Sequence, residues 1–63
     1  MHSLQEAVAL ARSGWILRHP AAPLKRLYVN PFGMLVHAEP DAGFHRPFRP
    51  TDGGKMAFGW ERL

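Results

Sequence analysis

A chain of 63 residues that contains no cysteine has few ways to hold a shape. A polypeptide this short buries only about 60% of the surface that its unfolded form exposes. It can build one modest core, and the disulfides and thiolate metal sites that reinforce many small scaffolds are closed to it. Residues 1–63 are therefore expected to form a single small domain, and association with further copies is the remaining way to gain buried surface. A chain without cysteine suits a reducing compartment. No apolar run approaches the roughly 20 residues needed to cross a bilayer, and the first residues lack the basic-then-apolar layout of a secretory signal. These features predict a cytoplasmic protein with no membrane partner.

Local signals predict an α+β fold, a short N-terminal helix packed on a small antiparallel sheet. The segment HSLQEAVALARSG reads as the helix. Ser3 and Glu6 have the spacing of a capping box, in which each side chain satisfies a backbone donor that the first turn leaves free. Gly14 suits the left-handed residue just past the helix end. Leu4, Ala7, Val8 and Ala11 share one face, with Leu10 beside them, so the helix has an apolar stripe to bury. WILRH (15–19) reads as a strand, PAAP (20–23) breaks it, and KRLYVN (25–30) alternates apolar and polar residues. In NPFG, Asn30 takes the first position of a type I turn, Pro31 the second and Gly33 the fourth. With MLVHA (34–38) returning antiparallel, residues 26–38 predict a hairpin. Pro47 and Pro50 cannot donate to a ladder and belong at an edge or in a loop. The last residues predict one helical turn after Thr51 and a final strand through Gly59, Trp60 and Glu61.

The chemistry-bearing residues point away from catalysis. His2, His19, His37 and His45 show neither an i, i+4 pairing on a helix nor a repeated ligand spacing. Ser3 is accounted for as a cap and Ser13 as a helix-end residue, which leaves no nucleophile with a visible base. No enzyme activity, metal or cofactor is expected. The formal net charge of +3 favours anionic partners. The basic residues are scattered, though, and do not form the run that extended nucleic-acid binding prefers. Seven aromatic residues, 11% of the chain, carry more information. At least half belong to a core, Phe58 and Trp15 foremost as core or interface residues. Others stand beside cations, as in His45-Arg46-Pro47-Phe48-Arg49 and Trp60-Glu61-Arg62. An aromatic face can stack a base while Arg takes a phosphate in a two-pronged grip. In RPTDGGKMAFGWERL, Thr51 can cap a helical turn whose amides at Asp52, Gly53 and Gly54 would face an anion. A plain turn reads equally well from the same residues.

The layout as a whole resembles a known family. Leu4, Ala7 and Leu10 in the helix, then Gly14, Arg18, Leu27, Val29 and Gly33, and at the end Pro50, Thr51, Ala57, Trp60 and Glu61, are similar to the small phage proteins of the second described type that inhibit Thoeris bacterial immunity. The spacing from Pro50-Thr51 to Trp60-Glu61 is the most distinctive part. The resemblance implies a homotetramer with ligand pockets between protomers. It also implies a sponge that sequesters cyclic nucleotide signals, cyclic ADP-ribose isomers and cyclic dinucleotides, without cleaving them. Carried over residue by residue, it marks Arg18, Thr51 and Trp60 as pocket residues. Chemistry adds Asp52 as a hydrogen-bond acceptor, Arg62 for phosphate, Phe48 as a second stacking ring, and the Gly53 and Gly54 amides. Two departures stand out. Arg18 is followed by His19, Pro20 and Ala21 where the family often carries an aromatic, and Gly54 and Lys55 replace an acid and a leucine. Two other classes stay open: a small inhibitor that docks on a host nuclease or CRISPR complex, and a nucleic-acid-binding module whose affinity would fall steeply with salt.

Overall fold

The computed structural model of the chain describes residues 1–41, 47–49 and 56–63. The helix α1 spans Leu4–Arg12 and begins as its sequence predicts. The Ser3 hydroxyl accepts from the Glu6 amide at 3.2 Å, and the Glu6 carboxylate accepts from the Ser3 amide at 3.2 Å. The Ser3 backbone bond, followed by its hydroxyl, holds the Glu6 carboxyl below its ordinary value. A lowered acid contributes stability that is complete above its ordinary value and is lost as pH falls through the lowered one. At the other end, Gly14 adopts φ +100° and its amide donates to the Ala11 carbonyl at 3.0 Å. Leu4, Ala7 and Ala11 are buried, and Val8 and Leu10 pack partly against the same core, so the stripe read from the spacing is the stripe that packs.

Among the described residues five strands accompany this helix: β1 (His2–Ser3), β2 (Leu17–His19), β3 (Ala22–Val29), β4 (Leu35–Ala38) and β5 (Phe58–Arg62). They form one sheet in the order β1-β5-β2-β3-β4, with every pairing antiparallel. The α+β expectation of one short helix on an antiparallel sheet is therefore met. The hairpin of residues 26–38 has Val29 opposite Leu35 and Arg26 opposite Ala38. Asn30 organises its turn: the side-chain oxygen accepts from the amides of Phe32 at 3.0 Å and Met34 at 2.9 Å. Gly33 supplies the positive φ of +82° that the turn requires.

Three boundaries differ from the expectation. The second strand starts at Leu17 rather than Trp15, because the Trp15 amide still donates back to Leu10 at 3.1 Å as part of the helix exit. The break after it is only Pro20 and Ala21 long, since His19 already pairs with Ala22. β3 then runs through Pro23. The ladder tolerates a proline there because the register shifts between Leu17 and His19, and the freed carbonyl of Pro23 accepts from Arg26 Nη1 at 2.8 Å. A third difference is β1, which no pattern announced. His2 lies opposite Trp60, and the Leu4 amide donates to Ala57 at 2.8 Å, so β5 becomes an interior strand with neighbours on both sides. On the outer side of β4, Pro47 bridges Val36 and the Phe48 amide donates to Leu35 at 2.8 Å. That agrees with the edge position expected of Pro47.

The core comprises Leu4, Ala7 and Ala11 of α1 with Leu17, Leu27, Leu35 and Trp60 of the sheet. Trp60 is fully buried, and its indole N–H donates to the Met56 carbonyl at 2.7 Å. The two aromatics given first place as core or interface residues are not in this core: Phe58 is 74% exposed and Trp15 44%. The register shifts between His2, opposite Trp60, and Ser3, opposite Phe58, and Gly59 there has φ +101°, so a bulge breaks the alternation along β5 and leaves Phe58 outside the core. The helical turn expected after Thr51 falls outside the described residues. No helix among the described residues is long and apolar enough to cross a membrane.

Gly59 allows β5 to lie close to β2. It has φ +101°, and a Cβ there would stand 3.1 Å from His19 Nε2. That imidazole cannot easily give way, because the same nitrogen lies 2.6 Å from the Phe58 carbonyl. Gly14 has nearly the same φ but nothing within 4 Å. Both alanine variants share the backbone strain, and only Gly59→Ala adds crowding, which costs about 1–3 kcal/mol in a packed site. Urea unfolding is expected to show Gly59→Ala less stable than Gly14→Ala by about that margin; equal losses would contradict the close approach.

Candidate functional site

Successive residues of a strand point to opposite faces of its sheet, and this parity divides the residues selected from the sequence. Arg18 lies directly opposite Glu61, on the face away from α1. Its guanidinium donates to the Glu61 carboxylate at 3.2 Å, with the two side chains 42% and 44% exposed. Glu61 thereby neutralises much of the charge that Arg18 could offer an anion. Arg62 lies opposite Leu17 and shares the α1 side with Trp60. The fold therefore does not bring Arg18 and Arg62 together on one face.

Trp60 requires a correction. With no accessible surface and its N–H already bonded, it serves as a core side chain, and its ring has no free face for a base. Phe48 is half-buried, packs against the core and meets His37 edge-on with centroids 5.3 Å apart. It too is engaged within the chain. Thr51, Asp52, Gly53 and Gly54 lie outside the described residues.

The aromatic that does meet a cation in the open is Trp15. The Arg62 guanidinium sits over its ring at 4.5 Å from the centroid, an attraction worth about 0.5–1 kcal/mol at an exposed site. Beside the pair opens a concavity of about 390 Å³ whose wall includes His2, Trp15, Glu61 and Arg62, with the buried Trp60 behind them as the one expected pocket residue besides Arg62, among those described, that borders it. It is a shallow hollow, open to solvent and more polar than apolar. Three connections assemble the wall. The helix exit at Gly14 presents Trp15, the antiparallel register places Arg62 beside it, and β1 brings in His2. His2 Nδ1 lies 3.6 Å from the Glu6 carboxylate, so it is tethered to the first turn of α1. Together they offer a flat aromatic face, a cation able to bond two oxygens at once, and an imidazole. Such a set suits a planar anion. It supplies no nucleophile with an adjacent base, and no group of three or more His, Cys, Asp or Glu among the described residues is placed to share a metal ion.

Sequence reasoning selected Arg62 and missed its partner, because Trp15 read as the first residue of a buried strand. The signal that could have found it was parity: with Trp60 inward, Arg62 two residues on must share its side and meet whatever the helix exit leaves there.

Compared with protein-family models, curated proteins and solved structures, the chain matches none.

The Arg18–Glu61 pair is half-exposed, and such pairs typically couple by about 0.2–1 kcal/mol. A double-mutant cycle with Arg18→Ala and Glu61→Ala is expected to give a coupling in that range that shrinks as salt is raised. A larger coupling insensitive to salt would show that the pair is shielded from solvent, as in an assembly between copies.

Proposed function

We propose that the chain is a non-catalytic binding protein that captures a nucleotide-like signal, cyclic ADP-ribose isomers or cyclic dinucleotides, as an anti-defence sponge of the Thoeris-inhibiting kind in the host cytoplasm. The single observation that carries the binding reading is the Arg62 guanidinium held over the half-exposed Trp15 beside the concavity of about 390 Å³. A base can stack on the indole while the guanidinium takes a phosphate. The resemblance described for the sequence supplies the ligand class. It also supplies assembly into a homotetramer, and the small core is a physical reason for such association. Within this proposal the recognition elements shift from Trp60 and Arg18 to Trp15 and Arg62.

The sheet face away from α1 favours a second reading, a small inhibitor that docks on a host protein. Ile16 is 45% exposed, and with Tyr28, Arg26 and Pro40 it lines a shallow apolar hollow of about 220 Å³. A monomer that co-purifies with a host protein would favour that reading.

The test is incubation with cyclic ADP-ribose isomers and cyclic dinucleotides, followed by size exclusion, heating, and mass spectrometry of the released small molecule. At least one ligand is expected to be retained and released intact. Trp15→Ala is expected to weaken it by roughly 5- to 150-fold, the equivalent of about 1–3 kcal/mol for a stacked base, with Arg62→Ala also weakening it. Retention of none of these ligands by the wild-type chain would overturn the reading.

A further inference from the structure

Four rings form a row through the interior. Trp60 of β5 meets His19 of β2 at a centroid distance of 5.1 Å and His37 of β4 at 5.2 Å. His37 in turn meets Phe48, the ring that closes the outer side of β4, at 5.3 Å. The row links β5 and β2 to β4 and Phe48 across β3, and two of its four members are titratable.

His19 is bonded at both nitrogens in a way that fits a neutral ring. Nδ1 accepts from the Ala21 amide at 3.0 Å, so it must be bare, and Nε2 therefore carries the proton and donates to the Phe58 carbonyl at 2.6 Å. His37 is different. Its Nε2 is buried and has no hydrogen-bond partner among the described residues. A neutral imidazole can leave that nitrogen as a bare lone pair, whereas an imidazolium carries N–H on both nitrogens. Protonation would then bury a charged donor with no acceptor, which is far more costly than an orphaned lone pair. The groups that act electrostatically on the ring are Lys25 from β3 and His19 from β2. Each can carry only positive charge, so neither would stabilise a cation. From β5 and the 47–49 segment the ring meets the aromatic faces of Trp60 and Phe48.

From this geometry we infer that His37 is an acid-sensitive latch: neutral, it completes the row that holds Trp60 and the Phe48 segment on the sheet, and on taking up a proton it releases them. Burial first, then Lys25 and His19, lowers the His37 basicity from its ordinary value of 6.5. The unfolded chain therefore binds more protons than the folded chain between the lowered value and the ordinary one. Stability from this group is complete above the ordinary value and is lost as pH falls toward the lowered one. The loss sets in as pH falls below the ordinary histidine value, and the folded chain takes up the proton only below it.

The experiment is urea unfolding of the full chain from about pH 7.5 to about pH 5, on the wild type and on His37→Phe, which keeps a ring and removes the titration. The wild-type unfolding constant is expected to rise with acid by up to about 10-fold per pH unit more steeply than that of His37→Phe, the signature of one extra proton. Proton NMR of the wild type supplies the second measurement. The His37 ring should titrate below its ordinary range, and the Trp60 indole N–H should exchange faster with solvent over the same step. Equal slopes in the two proteins, or a His37 ring that titrates at or above its ordinary value in the folded chain, would overturn the latch. If His37→Phe does not fold, the wild-type titration decides alone.

Discussion

Trp60 reaches from β5 over the α1 side of the sheet to touch imidazoles on β2 and on β4, and nearly every other feature of the fold accommodates that reach. Its only polar atom is bonded to the Met56 carbonyl, so a large side chain is buried at no cost in unsatisfied donors. For the indole to lie this deep, β5 must run close against β2, and Gly59 removes the Cβ that would strike His19. β5 must also be flanked on both sides, which the short β1 achieves by pairing His2 with Trp60. The small residues Ala7 and Ala11 of α1 fit the same demand, since a helix passing over a buried indole needs slender side chains beneath it.

The parts of this arrangement that were legible in the sequence are those decided by neighbours along the chain. Ser3 and Glu6 satisfy each other across one helical turn, and Asn30 to Gly33 close a turn through their own side chain and dihedral. Both signals survive whatever the rest of the protein does. The depth of Trp60, the outward position of Phe58 and the half-open Trp15 depend instead on which strand lies beside β5, and that pairing joins residues more than 40 positions apart, such as Arg18 and Glu61. Pro23 inside β3 was unreadable for a similar reason: a proline breaks a regular ladder, and only the partner strand shows that this ladder shifts register there.

Strand parity separates the two arginines for which a ligand role was expected. Arg18 was expected at an anion pocket from the family resemblance, and Arg62 from its place beside Trp60. On the sheet they lie on opposite sides. The consequence is a division of labour: Arg18 with Glu61 forms a cross-strand pair that joins β2 to β5 on the face away from α1, while Arg62 with Trp15 forms an open platform on the α1 side. One cation is paired with a carboxylate across the sheet and the other with an indole at the helix exit.

A chain this small could have placed a leucine or phenylalanine at position 19, and apolar packing alone would favour one. His19 instead accepts from the Ala21 amide in the β2–β3 turn and donates to the Phe58 carbonyl at the start of β5. One buried side chain thereby satisfies two backbone groups belonging to different elements, and neither group has to find water. The geometry also fixes which tautomer the ring adopts and hence the direction from which β5 can approach. In a protein without disulfides, that is a polar substitute for a cross-link: weaker than a covalent bond, specific in direction, and dependent on the ring staying neutral. Its neighbour His37, sharing the same indole but lacking a bond at Nε2 among the described residues, contributes packing without that second function. The core is consequently held by one imidazole through its hydrogen bonds and by one through its ring contacts with Trp60 and Phe48.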